Sequence, residues 1–550
     1  MEAFWWHEVK DALFDYLDHE SGEYSLSTMK LSYDNLPDYL KPCLLYIGMF
    51  PEDARILVSK LICLWIAEGF IQITESAILM EEAAEGYLMD LISSNLVMVS
   101  KRKYNGKIKY CQVHDVVLHF CLERSREEKF MLAVESSELH FQPSHWKASR
   151  VTFCFSNELT KFASPGSKTR KPFHQYLRSL ITTKSNRSEI SYQNPFSQVT
   201  NLRLLKVLDL SSHIVHYLSS ATLQPLIHLK YLAVTADKFH FHEKSHLLLL
   251  KTLVVKWLCG RTWLPTNFWK MEKLRHVEIT RAVSCWEEQI SKESSKLENL
   301  RILRSIDFAL YKADCLNILA QRCPNLQELE TTILREDSKS ARTRLNLESF
   351  TQLQILRLSV DKRLILSKLY LPSNLKKLIL RVVITENTIS LIAGLPSLEY
   401  LQLRDEKYYR YDEKLCLGDI TFHRLKFLKL VSLDFTWWDA SEESFPLLET
   451  LTIKRCDKLW SIPYSFADIQ TLKQIKFIGC NNQPLVASAV RINKEVQDIE
   501  GCNRIDVIIE VSRNKLLYAV FEYLCAYNVL PCDQKVMGSS RETASCRSVV

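Results

Sequence analysis

A chain of 550 residues with 47% hydrophobic content is long enough for roughly two to four domains with real cores. The net charge is +7, but residues 1–130 carry −8 and residues 131–550 therefore +15. That split allows nucleic acid as a partner of the basic part. The simpler expectation is that the two parts face each other within one molecule. Sixteen cysteines include no C-x-x-C pair, and no signal peptide is expected ahead of the first helix. A reducing, cytoplasmic location is expected, with room for peripheral membrane contact. No run of eighteen apolar residues is present, so no integral membrane span is expected. Cys546 lies one place away from the position that a prenylation box requires.

In chain order, residues 1–19 read as a helix with Trp5, Val9, Leu13 and Leu17 on one side. Its abrupt Phe-Trp-Trp beginning reads as the cut end of a larger helical subdomain, with residues 1–24 as its remnant. Ser25 or Ser27 can cap a segment through Tyr33, Pro37 interrupts, and a helix resumes over Tyr39–Ile47. Val58–Glu68 is apolar, with Gly69 in place to stop it. Glu75–Ser94 is amphipathic and acidic in its first half. Asn105-Gly106 between two alternating segments is a hairpin signal, and a helix from Val113 to about Lys129 follows. Helices followed by a two-stranded wing define a winged-helix module over 25–130.

Residues 131–176 are irregular and read as a linker or as degenerate opening repeats. Leu177 and Leu180 are candidates to begin the regular repeat, which occupies 177–480. Its phrase is L-x-x-L-x-x-L-x-L, first complete at Leu202, Leu205, Leu208 and Leu210. Twelve copies follow one another. Their third apolar positions, from Leu208 to Ile475, stand 21 to 27 residues apart. This is the period of leucine-rich repeats: an L-x-L strand turns its leucines inward and the remainder returns to start the next strand alongside. One repeat cannot bury its leucines alone, whereas a stack can, at roughly 1.5–3 kcal/mol for each one buried. The x positions of the strands then form an open face on which function is expected. Cys456 and Cys480, three residues past the L-x-L-type positions Ile453 and Phe477, read as structural plugs. After Cys480 the phrase stops. Val496–Val511 alternates enough for a capping strand, and the tail from Gln534 reads as disordered, within a cap-and-tail region 481–550. The expected fold class is α/β: a helical winged-helix module followed by a leucine-rich-repeat solenoid of horseshoe type.

The run Leu31-Ser-Tyr-Asp-Asn-Leu-Pro37, then Leu40-Lys-Pro-Cys43-Leu-Leu-Tyr46, Met49-Phe-Pro-Glu-Asp53 and Leu64-Trp65-Ile-Ala-Glu-Gly69-Phe70 resembles plant intracellular nucleotide-binding leucine-rich-repeat disease resistance proteins. Within them it is similar to the late blight resistance proteins of the nightshade group. Gln112-Val113-His114-Asp115 falls where that family has its Met-His-Asp motif, with Val in the first place. The resemblance implies that His114 reaches the phosphates of bound ADP, in a closed resting state exchanged for an ATP state, and that Asp115 steadies the helix start. It also implies that the repeats recognise a pathogen effector or a guarded host protein, and that they hold a nucleotide-binding domain closed. A phosphate loop, G-x-x-x-x-G-K-[ST], is absent: no two of the twelve glycines stand five apart. The isolated sequence is therefore expected to bind no nucleotide without that domain, supplied within the same molecule or in trans. Without the resemblance, Asp115 is a negative charge in a first helical turn and His114 packs beside the wing.

His242-Glu243-Lys-Ser-His246 matches H-E-x-x-H, but it lies between two leucine phrases with no third ligand, so no metal site and no enzyme are expected. The winged helix is acidic, which opposes DNA. Lys101, Arg102, Lys103, Lys107 and Lys109 read as a solvated wing or as a contact with an acidic neighbour. Tyr408, Tyr409, Tyr411, Trp437 and Trp438 are candidate recognition anchors, or else packing within return segments. A second functional reading is an F-box-type adapter, with Leu36-Pro37 binding ubiquitin-ligase machinery while the repeats choose a substrate. It leaves the Asn-Gly wing unexplained.

Overall fold

Apolar spacing, proline and glycine set the first elements. Helix α1 (Gly22–Asp34) ends before Pro37, and α2 (Lys41–Ile47) carries Pro42 in its first turn, where a missing N–H costs no hydrogen bond. In this computed structural model the described residues are 22–72, 79–135, 148–155, 176–184, 202–240, 242, 247–257, 262–263, 266–284, 295–309, 315–334, 341–361, 364–384, 386–404, 414–480, 482–510 and 545–547. The helix expected over 1–19 lies outside them. Neither Ser25 nor Ser27 is a cap, because α1 runs through both. The chain divides into two units, Met1–Ala282 and Val283–Val550.

In the first unit, strand β1 (Ile56–Leu57) leads into α3 (Val58–Glu68), then α4 (Met80–Ser93). Strands β2 (Met98–Arg102) and β3 (Ile108–Gln112) form the expected hairpin, with Gly106 at φ 77° in its turn. α5 (Asp115–Glu127) closes the module. β1 pairs with β3, Ile56 beside Cys111, which makes the wing a three-stranded sheet. A two-residue strand has no periodicity to read, so the sequence gives no sign of it. Trp65, Tyr46, Leu44 and Leu64 fill the core.

Gly69 stops α3 at φ 88°, its N–H donating to Trp65 O at 3.1 Å. A Cβ there would meet nothing within 4 Å. Gly69→Ala is therefore expected to cost only the left-handed backbone penalty, about 1–2 kcal/mol, in urea unfolding of the chain. An unchanged midpoint would mean that the helix ends by another route.

Beyond α5, parallel strands stack: β4 (Leu132–Glu135), β5 (Arg150–Phe155), β6 (Ser179–Lys184), β7 (Val207–Ser219), β8 (Tyr231–His240) and β9 (Thr252–Trp257). The short β10 (Thr262–Trp263) precedes β11 (His276–Ser284), which pairs with β9. One inward position runs through them in register: Leu132, Val151, Leu180, Leu208, Leu232, Leu253 and Val277. The irregular stretch 131–176 thus contributes two strands, β4 and β5. Arg-Val-Thr-Phe-Cys-Phe alternates as a repeat strand does, although no leucine phrase surrounds it.

The second unit repeats the device. β12 (Ile302–Ala309), β13 (Glu328–Leu334), β15 (Ile355–Val360), β17 (Lys377–Arg381), β18 (Tyr400–Arg404), β20 (Phe427–Val431), β22 (Thr450–Lys454), β23 (Gln474–Ile478) and β24 (Asp506–Glu510) are parallel. Leu303, Leu329, Leu356, Leu378, Leu401, Leu428, Leu451, Ile475 and Val507 stand in register along them. The return segments carry two short parallel pairs: β14 (Ala341–Asn346) with β16 (Leu364–Tyr370), and β19 (Lys414–Cys416) with β21 (Trp437–Asp439).

Two expectations about the end of the repeats need correction. Val496 is not on a capping strand. It lies on helix Gln483–Glu500, whose buried Leu485, Ala489, Ile492 and Val496 follow a period near 3.6 rather than 2, and only Asp506–Glu510 extends the sheet. The tail is not wholly irregular either: β25 (Ser545–Arg547) adds antiparallel to β24, whose unpaired edge groups are a template for another strand.

Candidate functional site

The sequence of α3, Val-Ser-Lys-Leu-Ile-Cys-Leu-Trp-Ile-Ala-Glu, is apolar nearly all round, the signature of a helix buried on more than one side. One side enters the winged-helix core. The other covers the outward positions of the first repeat strands, the residues between the inward leucines. Ile181, Val207, Tyr231 and Ala233 belong to the same hydrophobic cluster as Trp65 and Leu61, and Val254 packs against it. The open face expected on the repeats is therefore closed in this unit.

Buried charges pin the contact. Glu68, the last residue of α3, meets Arg150 at 3.1 Å and accepts from the hydroxyl of Ser179. The Arg150 guanidinium lies 4.2 Å from the ring centre of Phe130 and 5.2 Å from that of Phe70, and donates to Ser149 Oγ at 3.1 Å. Thr152 Oγ1 donates to Met49 O at 2.8 Å. Lys60 Nζ stands 2.6 Å from the fully buried Asp209, whose other oxygen accepts from Ser211 N and Oγ. Arg275 holds Glu81 through two bonds, Nε to Oε1 and Nη2 to Oε2, each 2.6 Å. Cys63 Sγ lies 3.4 Å from His276 Nδ1.

The expected attraction between an acidic module and basic repeats is realised in part. Glu68 and Glu81 meet arginines of the repeats, but Lys60 and Asp209 pair with the opposite polarity. Just ahead of the strands come Arg178, Lys206, Lys230, Lys251 and Arg275. Burial and then the neighbouring Lys230 and Arg275 lower Lys251 to about 8, and burial with Lys230 lowers Lys206 as well. Burial, ahead of the adjacent Asp209, pushes the Tyr231 hydroxyl well above its ordinary value.

His114 and Asp115 sit at the exposed start of α5. His114 is the N-cap, its Nδ1 accepting from Val116 N at 3.4 Å, and Asp115 occupies the first turn. His114 does not pack beside the wing. Of the basic wing residues, Lys107 reaches Glu85 at 2.9 Å, while Lys101, Arg102 and Lys103 are exposed. α4, ahead of the hairpin, carries Glu81, Glu82, Glu85 and Asp90 without a basic residue, which opposes a phosphate backbone. Leu36 is buried in the module, so of the Leu36-Pro37 step only the proline is open to an adapter.

Glu243 to His246 lie outside the described residues, and among the described residues no group of three or more His, Cys, Asp or Glu could hold a metal. Cys456 and Cys480 are buried in their turns, and burial pushes the Cys456 thiol up to about 12. Tyr408, Tyr409 and Tyr411 also lie outside the described residues. The two tryptophans part company: Trp438 is buried against Phe445 and Phe466, whereas Trp437 is 55% exposed. Trp460, also 55% exposed, lies one repeat on, its backbone N–H donating to Thr436 O. No sequence signal singled it out. Among the described residues no helix is long and apolar enough to cross a membrane.

The winged-helix profile of disease resistance proteins matches residues 49–121, which span α3, α4, the hairpin and the start of α5. A late blight resistance protein homolog of Solanum demissum is 33% identical over 511 residues, covering 90% of this chain and 38% of its own length. A late blight resistance protein of the same species is 32% identical over 554 residues, covering 93% and 39%. That module is thus of the disease resistance type, and the chain, in which it leads into leucine-rich repeats, is related to the late blight resistance proteins over about nine tenths of its length. It spans about two fifths of the length of these relatives.

Proposed function

We propose that the chain acts as the regulatory and recognition module of a plant disease resistance receptor. The repeats would recognise a pathogen effector or a guarded host protein, and the winged helix would pass the event to a nucleotide-binding domain. The observation that carries this reading is α3 lying between its own core and the outward face of the first repeats. A partner that favours another arrangement of the repeats pulls, through α3, on the module that carries His114. Such a switch is a population shift, and reversing it from 1:99 to 99:1 takes about 5.5 kcal/mol of differential partner affinity.

ADP, bound in a domain that supplies the phosphate loop, is the ligand whose exchange distinguishes the two states. His114 fits a phosphate oxygen: with Nδ1 accepting from Val116 N–H, the neutral ring carries its proton on Nε2, at an exposed helix start where anions are favoured. Asp115, itself negative, serves the helix rather than the ligand.

The test supplies a nucleotide-binding domain of the family in trans and follows retention of labelled ADP. Retention is expected to rise when the chain is added and to fall several-fold with His114→Ala. A domain that holds ADP equally well with and without the chain refutes the reading.

A further inference from the structure

We propose that the outward face of β17, β18, β20, β22 and β23 binds an acidic segment of a partner polypeptide. This deepens the recognition role proposed above and rests on it. The outward positions of these five strands in register are Lys377, Ile379 and Arg381; Tyr400, Gln402 and Arg404; Phe427, Lys429 and Val431; Thr450, Thr452 and Lys454; Gln474, Lys476 and Ile478. Six are cationic and none is a carboxylate. The burial of each strand alternates, inward residues buried and most of these partly or fully exposed, so the cations stand on the accessible side.

The tract is bounded. On its N-terminal side Glu328 is held between Arg304 and Arg357, and on its C-terminal side Glu510 meets Lys476. At these two ends Glu328 and Glu510 face bases on neighbouring strands. Between these ends like charges are neighbours instead, Arg381 directly beside Arg404. Like charges opposite one another destabilise a sheet. Carboxylates of a partner lying across the six cations meet a surface of complementary charge.

Parallel strands about 4.8 Å apart make the tract roughly 20 Å wide, the reach of about six extended residues. Single-stranded nucleic acid fits less well, because it stacks its bases on open aromatic faces. Here Tyr400 stacks on Phe427, with centroids 6.4 Å apart and planes at 25°, and Lys377 Nζ lies 4.1 Å over the Tyr400 ring. Carboxylates at both ends would also repel a continuing phosphate backbone.

The experiment measures binding of the whole chain to a labelled peptide of alternating glutamate and leucine, its glutamine counterpart, and a single-stranded oligonucleotide of equal charge. The acidic peptide is expected to bind, to weaken with salt, and to lose at least ten-fold in affinity with Arg404→Glu plus Lys429→Glu. The milder Arg404→Gln plus Lys429→Gln should lose less, which separates lost charge from lost folding. Lys101→Glu plus Lys103→Glu on the wing makes the same change in net charge and should leave binding intact. Equal loss from the wing pair, equal binding of the glutamine peptide, or tighter binding of the oligonucleotide would each overturn the proposal. ADP retention in trans reads the first unit, so failure here leaves that result standing, and its failure leaves this one.

Discussion

Arg150→Ala is expected to destabilise the first unit by about 3–5 kcal/mol, the cost of leaving one member of a buried ion pair alone. Glu68 is 4% exposed, and without the guanidinium its carboxylate loses its ion-pair partner and keeps the Ser179 hydroxyl. The rings of Phe70 and Phe130 lose the plate that fills the space between them. The double variant Glu68→Leu plus Arg150→Met should recover most of the loss, because apolar replacements of similar volume often match or exceed a buried pair in stability. Urea unfolding, with hydrogen exchange followed along α3 and β5, reads both. If Arg150→Ala costs less than about 1 kcal/mol, the pair is not what seats the helix on the strands.

The second large effect is acid sensitivity at Glu328. Burial raises its pKa, but hydrogen bonds and charge from Arg304 and Arg357 more than reverse this, holding it at about 2 against an ordinary 4.5. A carboxyl depressed by folding gives stability that is complete above its unfolded pKa and is lost as pH falls through the folded one. The contribution, about 3 kcal/mol, should be present at neutral pH and should fade between pH 4.5 and 2. Glu328→Gln should therefore weaken the second unit at pH 7 and scarcely change it at pH 2. Two unfolding curves that stay equally far apart at both pH values would refute the electrostatic origin.

The leucine phrases were legible because a stack repeats its signal: an inward position misread in one repeat is corrected by its neighbours. All twelve third positions lie on described strands and are buried. The ends were harder. β4 and β5 lack the leucines that precede a strand, and Val496 stands where a helical and an alternating pattern share members. The role of α3 was written in its composition but requires a different question, namely what covers a helix that has no polar side. Ile181, Val207, Ala233 and Val254 ask the same of the repeats, since apolar residues at outward positions mark a covered face, whereas Lys429, Lys454 and Lys476 mark an accessible one. Trp437 and Trp438 were separable by parity, for Trp438 stands beside the buried Leu415 and Trp437 beside the exposed Lys414. Pairs such as Lys60 with Asp209, 149 residues apart in sequence, leave no local trace.

The shared hydrophobic cluster also sets a timetable for synthesis. The winged helix leaves the ribosome before the repeats, and Ile181, Val207, Tyr231 and Ala233, which complete its core, are translated 54 to 106 residues after the end of α5. At about 5–20 residues per second the outer side of α3 stays uncovered for several seconds up to about 20 seconds. During that interval an apolar helix is exposed to chaperones, proteases and other nascent chains. Slow codons between 127 and 254 would lengthen the exposure, so the yield of folded protein should depend on translation speed there more than anywhere later in the repeats.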